Sequence, residues 1–198
     1  MADISLAAGR VATGFSQPWV ARYANSGTTV TYSNAMELAR GVSVSVEPES
    51  SDSNIFYANN IQAETESGEF TGGTLTLTVD GLLQAAQMFI MGIPSAGEDG
   101  IEFGDNVVQP FVGVGFITRY RSGGATSFVP TIIRKVKFDQ IGNDAATQEE
   151  DIDWQTQELS GQISRSDNET RSWKWEGNEF ATEAAALAAL KTKLGVQG

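Results

Sequence analysis

Two stretches of this chain, Val42-Ser43-Val44-Ser45-Val46 and Thr74-Leu75-Thr76-Leu77-Thr78-Val79, alternate apolar and small polar residues without a break. A period of two puts the apolar members on one side of an extended backbone and the polar members on the other. Each stretch therefore predicts a half-buried strand. Much of the chain follows the same logic. Trp19–Tyr23 and Thr28–Tyr32 flank the turn residues Asn25-Ser26-Gly27, and Val112–Tyr120 and Phe128–Phe138 flank Arg121-Ser122-Gly123-Gly124, which predicts two hairpins. Pro130 falls inside the last run, where a missing N–H predicts an edge or a bulge. Gly113 and Gly115 lie within a strand pattern and do not open a helix, so they predict close backbone approach and no phosphate cradle. Leu159–Ser164 and Trp173–Trp175 add two short strands.

Two segments carry a helical period. Over 81–91, Leu82, Leu83, Ala86, Phe89 and Ile90 recur at helical spacing, with Asp80 placed as N-cap and Gly92 and Pro94 as a stop. Over 183–194, Leu187, Leu190 and Leu194 form an apolar stripe between a capping Thr182 and a closing Gly195. Many short strands with two helices predict a mainly-β chain, a β-sandwich or barrel with one flanking helix and a C-terminal helix over 181–195. No Pro/Ser-rich linker interrupts the sequence, so residues 1–198 read as a single domain with an N-terminal arm at 1–17. Three segments, 47–69, 94–110 and 139–155, are long, polar and acidic. Loops beyond about 12–15 residues are uncommon in a compact domain unless they have a task. Ile55, Phe56, Tyr57 and Ile61 inside the first segment predict an extended arm that packs on a neighbour.

Composition narrows the chemistry. There is no histidine and no cysteine, and 25 acids face 13 bases for a formal net charge of -12. Disulfides, thiolate nucleophiles, Cys zinc sites, imidazole bases and Ser-His-Asp triads are excluded outright. The acidic balance argues against specific duplex DNA binding, whose affinity comes largely from cations neutralising phosphates. Sign is also segregated along the chain. Residues 41–118 hold eleven acids and no base, 119–137 hold five bases and no acid, and 138–164 hold seven acids and no base. Segregation on this scale makes a field instead of local pairs, and suits head-to-tail contact between copies of one chain. The start MADISLAAGR has no basic n-region, and the uncharged run 81–97 is shorter than the ~20 apolar residues of a spanning helix, so neither export signal nor membrane span is expected.

The remaining catalytic chemistries assemble poorly. Glu47/Glu49 and Glu64/Glu66 are candidate glycosidase carboxylate pairs, but both fall in predicted loops without an aromatic platform for sugar stacking. Asp99, Glu102 and Asp105 offer oxygen ligands for Ca²⁺ without the EF-hand order. The expectation is a chain that is not an enzyme and carries no cofactor or metal.

Four motifs bring a family into view. The run Ser67-Gly68-Glu69-Phe70-Thr71-Gly72-Gly73 through Thr74–Asp80, preceded by Tyr57-Ala58-Asn59 and followed by a short helix, is similar to the major tail proteins of long-tailed bacteriophages, closest to the phi13-type group. Val112-Gly113-Val114-Gly115-Phe116-Ile117-Thr118-Arg119 leading to Lys135-Val136-Lys137-Phe138 resembles the same family. So do the acidic segment from Ile152 to Gly161 and the ending Trp173-Lys174, Phe180 and an Ala-rich helix. The resemblance covers roughly residues 18–194, with a Gly-rich and acidic departure around 94–108.

The resemblance implies a structural virion protein: a tail tube subunit that forms hexameric rings, stacked into the hollow tube through which phage DNA passes into the host. Its implied partners are other copies of itself, the tape measure, the tail terminator and the distal tail or baseplate proteins. Genomic duplex DNA would be in transit without specific binding. Acidic walls would keep that DNA mobile, and with screening over about 8 Å the acids must lie at the wall. Glu64, Glu66, Glu69, Asp80 and Asp153 are the candidate lumen acids. Ile55, Phe56, Tyr57 and Ile61, with the basic band Arg119, Arg121, Arg134, Lys135 and Lys137, are the candidate inter-subunit contacts. The 47–69 segment is the expected stacking loop, ordered on assembly. Alternatives are the tube of a contractile tail or secretion apparatus, which shares the physics, and a carbohydrate-binding β-sandwich module, which would gather its aromatics in one patch.

Overall fold

The alternating stretch at 74–79 sits inside a large sheet. In the computed structural model, which describes residues 9–58, 61–66, 68–94, 100–105, 107–143, 145, 147 and 154–196 (the backbone alone over 54–58 and 62–66), it forms the second half of a ten-residue strand. In β6 (Phe70–Val79) Gly73, Leu75, Leu77 and Val79 are buried, and the threonines between them are half-exposed. β6 pairs antiparallel with β3 (Gly41–Ser50) on one side and β9 (Gln157–Ile163) on the other. The ladder continues from β9 through β8 (Ala125–Phe138), β7 (Val112–Ser122), β1 (Val11–Ser26) and β2 (Thr29–Glu37). The order is β2-β1-β7-β8-β9-β6-β3, with β10 (Lys174–Glu176) added to β8. Both expected hairpins form, and Gly27, Gly123 and Gly124 supply the positive φ angles that their tight turns need.

The sheet curls. Register shifts at Ser16/Trp19, Val20/Arg22 and Val112/Val114 place bulges close together on β1 and β7, and bulges bend a strand and raise its twist. The curl returns β3 towards β1. The Phe15 ring on β1 lies so close to Gly41 at the start of β3 that an added Cβ would fall 2.1 Å from it. The inward face gathers one core from β1, β6, β7, β8 and β9, including Val20, Leu77, Val114, Ile133 and Leu159. α1 (Gln84–Met91) packs into this core through Ala86, Ile90 and Met91.

The outward face of β1, β7 and β8 carries a second, smaller core. There Ala186, Leu190 and Leu194, from α2 (Glu183–Lys193) and its C-cap, bury against Ala21, Ile117 and Ile132. The Val-Gly-Val-Gly run explains how one strand serves both cores. Val112 and Val114 point inward, while a Cβ on Gly113 would meet the Tyr32 ring at 2.5 Å and one on Gly115 would meet Leu190 at 2.8 Å. The expectation of close approach at these glycines holds.

Several boundaries differ from expectation. α1 starts at Gln84 with Leu83 as N-cap and no side-chain cap. Asp80 still belongs to the sheet end: its N–H donates to the Arg40 carbonyl, and its carboxylate accepts from the Arg40 N–H and Nε. Residues 11–17 belong to β1, so the N-terminal arm is shorter than 1–17. The 47–69 segment is not a long loop. Its first residues pair with β6, and β4 (Asn54–Ala58) pairs with β5 (Ile61–Glu66) as a separate two-stranded sheet. β-branched and aromatic residues at 55–57 and 61 favour this pairing. Pro130 lies neither on an edge strand nor at a bulge of the β7 ladder. It pairs in register with Ile117, and its missing N–H faces the gap between the end of β10, where the Gly177 N–H donates to the Pro130 carbonyl, and the Phe128–Phe180 bridge.

Candidate assembly surface

The five basic residues do not form one band. Arg119 and Arg121 stand near the tip of the β7–β8 hairpin, opposite Phe128 and Thr126, and both are exposed. Arg134 lies six residues beyond Phe128 on β8, roughly 20 Å away at ~3.3 Å per residue, with Lys135 and Lys137 further on. Lys135 is used inside the molecule. Its Nζ donates to Asp167 Oδ2 at 2.7 Å and lies over the Phe111 and Tyr23 rings at 4.7 and 5.2 Å. Tyr23 Oη also donates to Asp167 Oδ2 at 2.7 Å and accepts from the Asp167 N–H at 2.8 Å. The hydrogen bonds from Lys135 and Tyr23 hold the Asp167 carboxyl below its usual pKa. Arg134 is half-buried, its Nε is buried with no partner among the described residues, and its carbonyl accepts from the Tyr32 hydroxyl at 3.0 Å. Burial pushes that hydroxyl up to about 12. Lys137 is exposed beside Gln162.

The candidate lumen acids are also dispersed. Glu69 precedes β6 and accepts from Arg165 at 2.9 Å, whereas Asp80 follows it and pairs with Arg40. The two lie at opposite ends of one strand, and each already has a cation. Glu64 and Glu66 lie on β5 opposite Phe56 and Asn54. Asp153 lies outside the described residues. Of the apolar contact candidates, Ile55, Phe56 and Tyr57 are placed in β4, and Ile61 opens β5 at 68% exposed.

A different set of side chains stands out in the structure. Trp154 is 82% exposed, Leu83 78%, Val108 75%, Ile61 68% and Val11 66%. Trp154 and Leu83 emerge at the same end of the sheet. Three residues after Trp154, Gln157 accepts from the Leu82 N–H through Oε1 at 3.2 Å and donates through Nε2 to the Gly142 carbonyl at 3.1 Å. That one side chain ties the start of α1, the start of β9 and the 139–143 segment together. Asp139 and Glu158 are exposed at the same end. The opposite end carries the hairpin tip, where exposed Val11 pairs with Arg121. Among the described residues, neither Arg119 nor Arg121 has an ion pair. Sequence reasoning did not single out Trp154. The one available signal was a tryptophan in an otherwise polar, acidic segment.

An open cleft of about 530 Å³ lies between the β1–β2 turn and the 165–171 loop. It mixes Arg165 and Arg171 with Asp167 and Glu169, so it selects no sign of charge. Among the described residues no group of three or more acidic side chains is drawn together as a metal site, and no helix is long and apolar enough to cross a membrane. No protein-family model matches the chain, and no curated protein matches its sequence.

Proposed function

We propose that this protein is a self-assembling structural subunit, the major tail (tube) protein of a long-tailed phage. It would stack as hexameric rings into the hollow conduit for phage DNA and reside in the virion tail. The observation that carries the reading is the set of large apolar side chains left exposed at both ends of the sheet, Trp154 and Leu83 at one and Val11 at the other. Their placement beside acids at one end and arginines at the other suits a heterologous contact between copies. The resemblance in four ordered motifs supplies the identity of the assembly. It also supplies the partners: the tape measure, the terminator and the distal tail or baseplate proteins, with duplex DNA passing unbound.

The β4–β5 ribbon is the stacking arm in this reading. It hangs from the main sheet at a neck where the Ser51 N–H donates to the Glu69 carbonyl and Ser51 Oγ accepts from the Glu69 N–H. Replacing residues 52–68 by a two-residue Asn-Gly turn therefore removes the ribbon without breaking the β3–β6 ladder. The expected result, by circular dichroism and electron microscopy, is a folded protein that forms no tubes while the intact chain does. Normal tubes from the excised protein would refute the arm.

A further inference from the structure

The stacking arm leaves open which ends of the main sheet meet alongside it, and the residues at those two ends answer this. We infer that the end bearing Trp154 and Leu83 is the docking face for a second copy of this chain, which presents its β7–β8 hairpin tip with Arg119, Arg121 and Val11. This inference rests on the reading of the protein as a self-assembling subunit and specifies the axial contact within it.

The two surfaces lie at opposite ends of the molecule. Arg121 pairs with Thr126 at one extreme of the ladder, Val112, Val136 and Ile163 lie level with one another further up, and β9 continues from there to Gln157 in the same direction. The path from Arg121 to Gln157 is about fifteen residues of strand, roughly 50 Å before the curl shortens it. A contact between opposite ends is heterologous and propagates, as a stacked assembly requires.

The surfaces are also complementary. The Trp154 end holds two large apolar side chains with exposed Asp139 and Glu158, and Arg40 at this end is already paired with Asp80. The hairpin tip holds exposed Val11 with two arginines that no described acid engages, and the acids brought closest to it, Glu176 and Glu179, are already paired with Arg10. Trp and Arg are the residues most enriched where interfaces concentrate their energy. A guanidinium also seats on an indole face within about 6 Å. This chain uses that geometry internally, with Arg22 4.3 Å over Phe89 and Arg10 4.4 Å over Tyr120. The free edge of β3 is a poorer place for another copy. Pro48, with Glu47 and Glu49 beside it, blunts that edge against strand addition.

The test compares four variants with the intact chain by sedimentation and electron microscopy, after circular dichroism confirms each fold. Trp154→Ala, and Arg119→Glu with Arg121→Glu, should each raise the concentration needed for assembly by about tenfold or more. Asp139→Lys with Glu158→Lys should do the same. Combining both charge reversals in one chain should restore assembly. Rings of Trp154→Ala mixed with rings of the arginine-reversed chain should stop at double rings, since each ring retains one working end. Assembly of Trp154→Ala at the intact chain's threshold would overturn the inference while leaving the tube reading in place, and so would failure of the double reversal to rescue. An intact chain that never assembles would overturn the tube reading itself, and this contact with it.

Discussion

The α2 face and the Trp154 end of this protein use similar residues to opposite effect. On the α2 face Leu190 and Leu194 are fully buried, Thr182 caps the helix by accepting from the Ala185 N–H, and glycine at 115 clears the space that the leucines fill. At the Trp154 end, α1 starts without a side-chain cap, and Leu83 and Trp154 stand in solvent. The first region is complete within one chain. The second has the apolar side chains of a packed surface and nothing among the described residues to cover them. In the proposed reading the contrast separates residues that hold the fold from residues left for another copy, and it can be broken by measuring stability and assembly independently.

The largest effect belongs on the α2 face. Leu190→Ala removes a fully buried side chain and should cost about 2–5 kcal/mol in chemical denaturation, with assembly lost only through unfolding. Thr182→Ala removes the helix cap and should cost about 1 kcal/mol. Asp167→Asn tests the network linking β1, β8 and the 165–171 loop. Because the folded Asp167 carboxyl is held below its usual value, its stabilisation is present above an unfolded value of about 3.9 and fades as pH falls through the lowered one. The variant should therefore be less stable near neutral pH and should flatten the acid limb of the stability profile below about pH 4. Smallest of all, Trp154→Ala and Leu83→Ala should change monomer stability by no more than about 0.5 kcal/mol, because both side chains are exposed. A large loss of stability there would place these residues in the fold and erase the contrast.

The hairpins and the alternating strands were legible in the sequence because turn residues and period-two patterns are local. The Thr182 cap was legible for the same reason. What escaped was set by contacts distant in sequence. Asp80 looks like an N-cap until Arg40, just before the paired β3, takes its carboxylate and keeps it at the sheet end. Lys135 looks like part of an open basic band until the chain brings Asp167 beneath it. The band itself dissolved because hairpin register places Arg119 opposite Phe128, far along β8 from Arg134. Exposure of Trp154 depends on where Gln157 pins the start of β9, which no residue pattern announces.

The central claim is that this chain builds a tube from copies of itself. Electron microscopy of the purified intact protein across rising concentration, at low and physiological salt, tests it most directly. The account predicts rings that stack into hollow tubes of constant diameter with a regular axial repeat. A protein that remains a monomer under all of those conditions would contradict it.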